Sequence, residues 1–563
     1  MKSVGFHTVS VLATLGAAWA IFTYTVLPAG PPCDWDETAH AVRGLLIAYD
    51  LQQGDWLHFL FDTYRQVYWP PLHSWFTGIA YLAAGQSMVA ARLVSVIAFI
   101  MTALLLYATG RDMGEKKENL AGLIALVLYV TSPPMASYAA LSMLEIPGLL
   151  GLTLTFFIHN RVNRARVPPG RHMCLGLAMT FTYFIKSHYG VLLILTFLVT
   201  QLIDNRFTRR PLVSRANVYT LLPMVIIYAI WFAYPPKLVS TWNHLVNQPW
   251  GVEDAYSLEG LLYYPRAFFH LAGSPALLAL FMGAIILAFK SWANRTIRFL
   301  LVLVIIQFLI GEIHHTKMER HLFPVMPPVF LLSGYSLAKW WRRPSQRGLF
   351  FYLPRLATCA LLVSAVFLFP KSLHPLPQDA RRDVINHVVK AARVPGKILI
   401  LATKELRRPT IPMIDWQLVT EKKLILPPQA GTFTPSLTEI QKLKAIVTRL
   451  DAPWLKGITD RFMRRANHPG RIRMIYIGFY PFRFPDQTTL NRFLMKTLSE
   501  GSFDPVVILT SLEDGAPHPL SLLRPVLEGT GLKHGSARLF KDGQCRVDVF
   551  QQKQVMWDMD RTK

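Results

Sequence analysis

Charge is scarce in this chain, and cysteine is scarcer. Of 563 residues 17% are charged and 52% hydrophobic, and the mean hydropathy is +0.30. A soluble protein of this length carries more charge. The apolar residues also come in blocks, which points to a polytopic membrane protein. The four cysteines, Cys33, Cys174, Cys359 and Cys545, are far apart, with no CxxC and no Cys/His metal spacing. A disulfide framework and a zinc site are therefore not expected, and Cys174 and Cys359, in apolar segments, read as packing residues. There is no nucleotide-binding glycine loop, no internal repeat and no low-complexity tract. Acidic residues are few, 34 against 59 basic, for a formal net charge of +25. Such a balance often marks a nucleic-acid binder. Here the cations sit in short loops between apolar blocks, as the positive-inside rule requires, so no nucleic-acid partner is expected.

What is present begins with an uncharged apolar segment over 4–30, preceded by Lys2. Ala18-Trp19-Ala20 could serve as a cleavage site, but the apolar run continues to Leu27. At about 1.5 Å per residue that is long enough to span, so an uncleaved anchor with a cytoplasmic N-terminus is expected. Residues 31–90 are too polar to span as a whole and carry Trp35, Trp56, Trp69 and Trp75, suited to a membrane interface. They form a large first extracytoplasmic loop, with 72–84 as a re-entrant or surface-lying helix. Apolar segments follow near 91–109, 119–133, 141–160, 172–185, 188–203, 217–234, 273–289, 297–312, 320–338 and 350–370, for about eleven spans with the anchor. The basic loops check the threading. Arg111, Arg161, Arg171, Arg206, Lys290 and Arg342 fall inside, and the short outer loops carry few cations. The expected fold is an α-helical polytopic membrane domain over 1–370. Beyond it, 371–563 alternates β-rich runs (KILILAT, RMIYIGFY, PVVILTS, RVDVFQQ) with helical stretches such as SLTEIQKLKAIVTRL. That alternation suggests a soluble α/β domain, and an odd number of spans places it outside.

The stretch DWDETAHAVRGLLIAYD, from Asp34 to Asp50, leaves the first segment. With Asp34 as N-cap, Glu37 is the third helical residue, and D-x-x-E reads as a capping box. The helix dipole favours Asp36 in the first turn. At about 100° per residue Asp36, His40, Arg43 and Asp50 share one strip, while Trp35, Ala39, Val42, Leu46 and Tyr49 form the packing strip beside it. On periodicity alone the first strip is an ordinary solvated face. Glu145, in LSMLEIPG, is an acid among apolar residues at the outer end of a span, a functional candidate on cost alone. Lys186 and His188 interrupt YFIKSHYG on the same side. HHTKMERHLFPVMPP gathers His314, His315, Lys317, Arg320 and His321 at the outer mouth of a span. No i, i+4 histidine pair is joined to a third ligand, so no metal is expected and nothing demands a cofactor. A cationic pocket for phosphate fits these residue types. A carboxylate can take a proton from an acceptor hydroxyl, and cations can stabilise a departing phosphate.

Four patches carry a resemblance in order. They are DWDETAH with GDW (54–56), YWPPLHSWF with AARLVS, LEIPG with IKSHYG, and MERHLFPVMPP. Over roughly 1–340 the chain resembles the GT-C glycosyltransferases of the protein O-mannosyltransferase and lipid A aminoarabinose transferase type. The resemblance implies sugar transfer, with inversion, from a polyprenyl-phosphate donor to a lipid, protein or polysaccharide acceptor on the extracytoplasmic face. The expected location is multi-pass in a bacterial inner membrane. Asp36 matches the first-loop catalytic aspartate, Glu145 a second acidic position, and Lys186 and Arg320 basic positions near the donor phosphate. Glu37 joins the acids in a supporting role, and His40, Arg43 and His321 support the site. Aminoarabinose transferases have Arg where this chain has Ala39, and Lys where it has Trp69. Phosphate binding then shifts to Lys186, Arg92, His73 or Arg320. Two other classes stay open: a transporter or flippase of lipid-linked sugars, against which stand the absent repeat and the one-sided polar residues, and a non-catalytic assembly protein.

Overall fold

A computed structural model describes residues 3–341 apart from 30–34, 65, 67–68, 114–118, 163–166, 209–213, 234, 247–254 and 315–316. Beyond 341 it describes 359–360, 363–373, 382–391, 397–402, 413–414, 416–418, 420, 471–476, 506–511, 527–528, 532–540 and 545–552. The expected N-cap Asp34, His315, most of the 350–370 segment and the SLTEIQKLKAIVTRL stretch lie outside the described residues. The chain divides into two compact units, Met1–Ala29 with Arg43–Leu376, and Gly30–Val42 with Pro377–Lys563.

The first unit is helical. In order come α1 (Ser3–Ile21, continued by a π-turn to Val26), α2 (Trp35–Gln52), α3 (Trp56–Tyr64), α4 (Leu72–Ala84), α5 (Met88–Met113) and α6 (Asn119–Val130). Then follow α7 (Pro133–Ala139), α8 (Glu145–Val162), α9 (Pro169–Ile185), α10 (Ser187–Thr208), α11 (Arg215–Trp231) and α12 (Pro235–Val246). The last are α13 (Leu258–Leu261), α14 (Tyr263–Ala272), α15 (Pro275–Phe289), α16 (Arg295–Ile313), a 3-10 turn (Glu319–Val325) and α17 (Met326–Trp341). The division between units falls inside α2.

Five stretches among the described residues are long and apolar enough to cross a membrane: His7–Val26, Met88–Met113, Ser187–Asp204, Arg295–Ile313 and Glu319–Trp341. Two bent pairs, α6 with α7 and α13–α14 with α15, raise the number to 7. The chain is a multi-pass membrane protein. The sequence expectation of about eleven also included α8, α9 and α11. The 17-residue α9 and α11 fall short in length, and α8 carries Glu145, His159 and Arg161.

Small residues let the helices approach. A Cβ at Gly110 of α5 would meet the Gly122 Cα of α6 at 2.9 Å, so the two backbones touch directly. At the other end of α8 from Glu145, Arg161 reaches Asp112 of α5 at 3.2 Å. Asp204 of α10 pairs with Arg295 at 3.4 Å and also with Arg298, both on α16. Cys174 and Cys359 are exposed rather than packing residues. Cys174 shares the outward side of α9 with exposed Met173 and Leu177, an apolar face suited to lipid chains.

In the second unit α18 (Arg382–Ala391) precedes five strands, β1 (Lys397–Ala402), β2 (Arg471–Tyr476), β3 (Val506–Ser511), β4 (Leu532–Phe540) and β5 (Cys545–Gln552). The sheet order is β2-β1-β3-β5-β4. β1 lies parallel to β2 and β3, whereas β3/β5 and β5/β4 are antiparallel. The described residues of the four β-rich runs read from the sequence, 397–402, 473–476, 506–511 and 546–552, lie in strands. Val384, Ile385, Val388 and Val389 of α18 are buried, one stripe of a helix that packs on β5.

Candidate active site

The helix that leaves the first segment turns at the GDW motif. Gly54 has φ 65°, a left-handed conformation that glycine adopts without steric cost. Asp55 then caps α3, accepting from the His58 amide at 3.2 Å and meeting its Nδ1 at 2.6 Å. The motif is thus a turn and a cap.

The polar side of α2 is not solvated. Glu37 is 0% exposed, His40, Arg43 and Asp50 are buried, and Asp36 is half-buried. Asp36, Glu37 and His40 precede the division inside α2, and Arg43 and Asp50 follow it. The packing strip also differs from expectation, because Tyr49 is 57% exposed. Past the division α2 packs through Gly44, where a Cβ would meet the Tyr81 ring of α4 at 3.1 Å. It also packs through Ile47, which lies against Gly78. Tyr49 points about 140° away from Gly44 around the helix. Arg43 stacks over Trp69 at 4.3 Å, a cation–π contact.

The acid and base positions of the later motifs meet. Glu145 opens α8, where the helix N-terminus favours a carboxylate. Three consecutive polar residues, Lys186, Ser187 and His188, break the apolar run that separates into α9 and α10. Lys186 sits at the break with φ −146° and ψ 106°. Two glycines of α8 bring that elbow in. A Cβ at Gly148 would lie 2.8 Å from the Tyr189 ring, and one at Gly151 2.7 Å from the Thr182 hydroxyl. Lys186 Nζ consequently donates to Glu145 Oε1 at 2.6 Å, with side chains 8% and 3% exposed. Arg320 Nη1 stands 3.8 Å from the same oxygen. It is delivered by the 3-10 turn that contains Pro324 and precedes Pro327 and Pro328. That turn is tied to α16, whose Gln307 amide donates to the His321 carbonyl at 3.0 Å. The His321 ring faces that of His188 at 5.6 Å between centroids.

His73, on α4, is buried, and burial lowers its pKa to about 4 although the Glu145 charge acts in the opposite direction. Arg92 is 0% exposed, and its Nη1 donates to the Ala29 carbonyl at 3.2 Å. The structure therefore brings Glu145, Lys186, Arg320, His321 and His73 into one neighbourhood of the first unit. Arg43 and Arg92 are anchored to partners of their own. No group of three or more metal-ligating side chains occurs among the described residues.

Two buried groups escaped the sequence reading. Lys237 of α12 donates to the Tyr64 carbonyl, with its amine 3.6 Å from the Tyr64 ring and 3.2 Å from the Trp231 ring. Burial lowers its pKa to about 6. Tyr189, inside the IKSHYG motif, is 0% exposed, and Lys186 Nζ sits 4.9 Å from its ring centroid. Its place beside a motif lysine was the one available signal. Lys237 follows a Pro-Pro pair and gave none.

A family profile described as dolichyl-phosphate-mannose-protein mannosyltransferase matches residues 69–234. Among curated proteins, the undecaprenyl phosphate-alpha-4-amino-4-deoxy-L-arabinose arabinosyl transferase of Serratia proteamaculans is 24% identical over 302 residues, 50% of this chain and 52% of that protein. The protein of the same name from Edwardsiella ictaluri is 24% identical over 355 residues, 59% and 60% of the two chains. The match thus spans a little over half the length of these relatives. Among solved structures, ArnT from Cupriavidus metallidurans in the apo state superposes with TM-score 0.59 at 13% identity, covering 98% of each chain. The same protein bound to undecaprenyl phosphate gives 0.57 at 12%, covering 97% of this chain and 98% of that one. An Archaeoglobus fulgidus oligosaccharyltransferase gives 0.53 at 12%, covering 90% and 70%. On these likenesses the chain has the fold of the GT-C glycosyltransferases.

Proposed function

We propose that the protein transfers a sugar from a polyprenyl-phosphate-linked donor to an acceptor hydroxyl on the extracytoplasmic face of a bacterial inner membrane, with inversion. The observation that carries this reading is the buried Glu145–Lys186 pair with Arg320 beside it. Glu145 neutralises Lys186, so Arg320 is left as the net positive charge of the trio, which suits one phosphodiester. The names of the relatives and the lipid in the Cupriavidus ArnT structure support a polyprenyl phosphate as that ligand.

Atoms and electrons balance in a single displacement. The acceptor oxygen bonds the anomeric carbon, the carbon–oxygen bond to phosphate breaks with its electron pair staying on the phosphate, and the acceptor proton passes to a carboxylate. We assign that base to Asp36 on its place in the DWDETAH motif, with Glu37 and His40 supporting. Glu145, held by Lys186, positions charge. Arg320 and Lys186 face the phosphate, and His73, neutral at physiological pH, offers one hydrogen bond rather than a charge. Arg92, Arg43 and His321 hold neighbouring backbone and rings in place. Eleven spans, with 31–90 as the first outer loop and 371–563 as an extracytoplasmic α/β domain, complete the proposal.

The test supplies purified protein with polyprenyl-phosphate sugars. Asp36→Asn should abolish transfer while thermal stability is kept, and Glu145→Gln should lower transfer. Full turnover by both variants refutes the assignment, and lipid movement across liposomes with no transfer product favours a flippase.

A further inference from the structure

The scheme above leaves the Tyr189 hydroxyl without work. The side chain is fully buried and its Oη has no hydrogen-bond partner among the described residues. A buried hydroxyl left unpaired is costly, so native structures seldom keep one without a use. Its ring is fixed on several sides. The edge contact with the His188 ring has a centroid distance of 4.7 Å, the Lys186 amine lies over the ring face, and the α8 backbone closes in at Gly148. The Tyr189 amide donates to the Lys186 carbonyl at 3.1 Å, so ring and lysine move as one piece of the α9–α10 elbow. The amine over the ring is the one that donates to Glu145, with Arg320 beside that carboxylate, so Tyr189 borders the charged trio.

We infer that the Tyr189 hydroxyl donates a hydrogen bond to the phosphate of the lipid-linked donor and distinguishes the leaving phosphate from the bound phosphodiester. This rests on the proposed glycosyl transfer. The argument is one of charge. The Glu145–Lys186–Arg320 trio carries a net single positive charge, which one diester anion balances. When the bond from the anomeric carbon breaks, its electron pair stays on phosphate, and the oxygen released has no further cation in the trio to meet. A phenol donor adds no charge to the ground state, and its hydrogen bond strengthens as the acceptor becomes more anionic. An interaction that grows along the reaction raises kcat rather than lowering KM.

Tyr189→Phe removes the oxygen and keeps the ring, its packing and its contact with Lys186. The variant and wild type are compared in detergent for thermal stability, for binding of a polyprenyl monophosphate and of its methyl diester, and for transfer kinetics. The expected result is an unliganded melting temperature equal to or above that of wild type, because an unpaired buried hydroxyl is lost. Monophosphate affinity should fall on the order of tenfold, as for one hydrogen bond to a charged group, and diester affinity should fall less. Transfer should lose kcat with KM nearly unchanged. A lower unliganded melting temperature overturns the proposal, since the hydroxyl then holds a structural bond. Wild-type affinity for the monophosphate overturns it as well. Failure of wild type itself to bind either lipid refutes the glycosyl-transfer reading and this inference with it, an outcome separable from the two that concern Tyr189 alone.

Discussion

Glu145 and Lys186 are 41 positions apart in sequence and 2.6 Å apart in space. Nothing in hydropathy joins them. The sequence marks each as an ion in apolar surroundings, and only the close approach of α8 to the α9–α10 elbow shows that each is the reason the other is tolerated. Removing one partner leaves an unpaired buried charge, whereas removing both leaves none. Glu145→Gln or Lys186→Met alone should therefore destabilise the protein by about 3–5 kcal/mol, and the double substitution by much less. A double-mutant cycle on thermal melts measures the difference. His73 gives a second test. With a folded pKa of about 4 below its unfolded value near 6.5, it binds fewer protons folded than unfolded between these limits. Stability should be intact above pH 6.5 and fall as the pH drops toward 4, by about 3 kcal/mol in total. His73→Gln should flatten that limb of the pH–melting profile.

At the scale of elements, the apolar runs of the sequence located most helices of the first unit within a few residues. The run at 72–84 is α4 to the residue, and the interruption at Lys186 is the true break between α9 and α10. The polar face of α2 is covered, where periodicity alone gives a solvated one. A helix's polar strip looks the same whether water or protein covers it, and periodicity carries no information on which. The packing glycines were equally silent, because a glycine in an apolar helix is common and its importance lies in what stands opposite. Gly148 is the clearest case. Gly148→Val should force its side chain against the Tyr189 ring, which cannot rotate away from the His188 edge and the Lys186 amine. α8 must then shift from the elbow, and the pair at its N-terminus lengthens. Transfer should drop at least tenfold, a loss of about 1.4 kcal/mol in transition-state binding, with a smaller fall in melting temperature than Glu145→Gln causes. Activity and melting of the one variant, measured side by side, decide it.

For the whole molecule, composition alone established the membrane class, and motif order pointed to the GT-C architecture that the superpositions on ArnT display. The ion pairing at the ends of the spans was invisible until the fold brought the helices together. It has a consequence for how the protein lives in an energised membrane. A voltage of 100 mV does about 2.3 kcal/mol of work on each unit charge carried across the bilayer. Glu145 and Lys186 form a dipole of zero net charge, and an anionic phosphate meeting Arg320 forms another. Neither moves net charge through the field, so turnover in liposomes should be the same with and without an imposed potential.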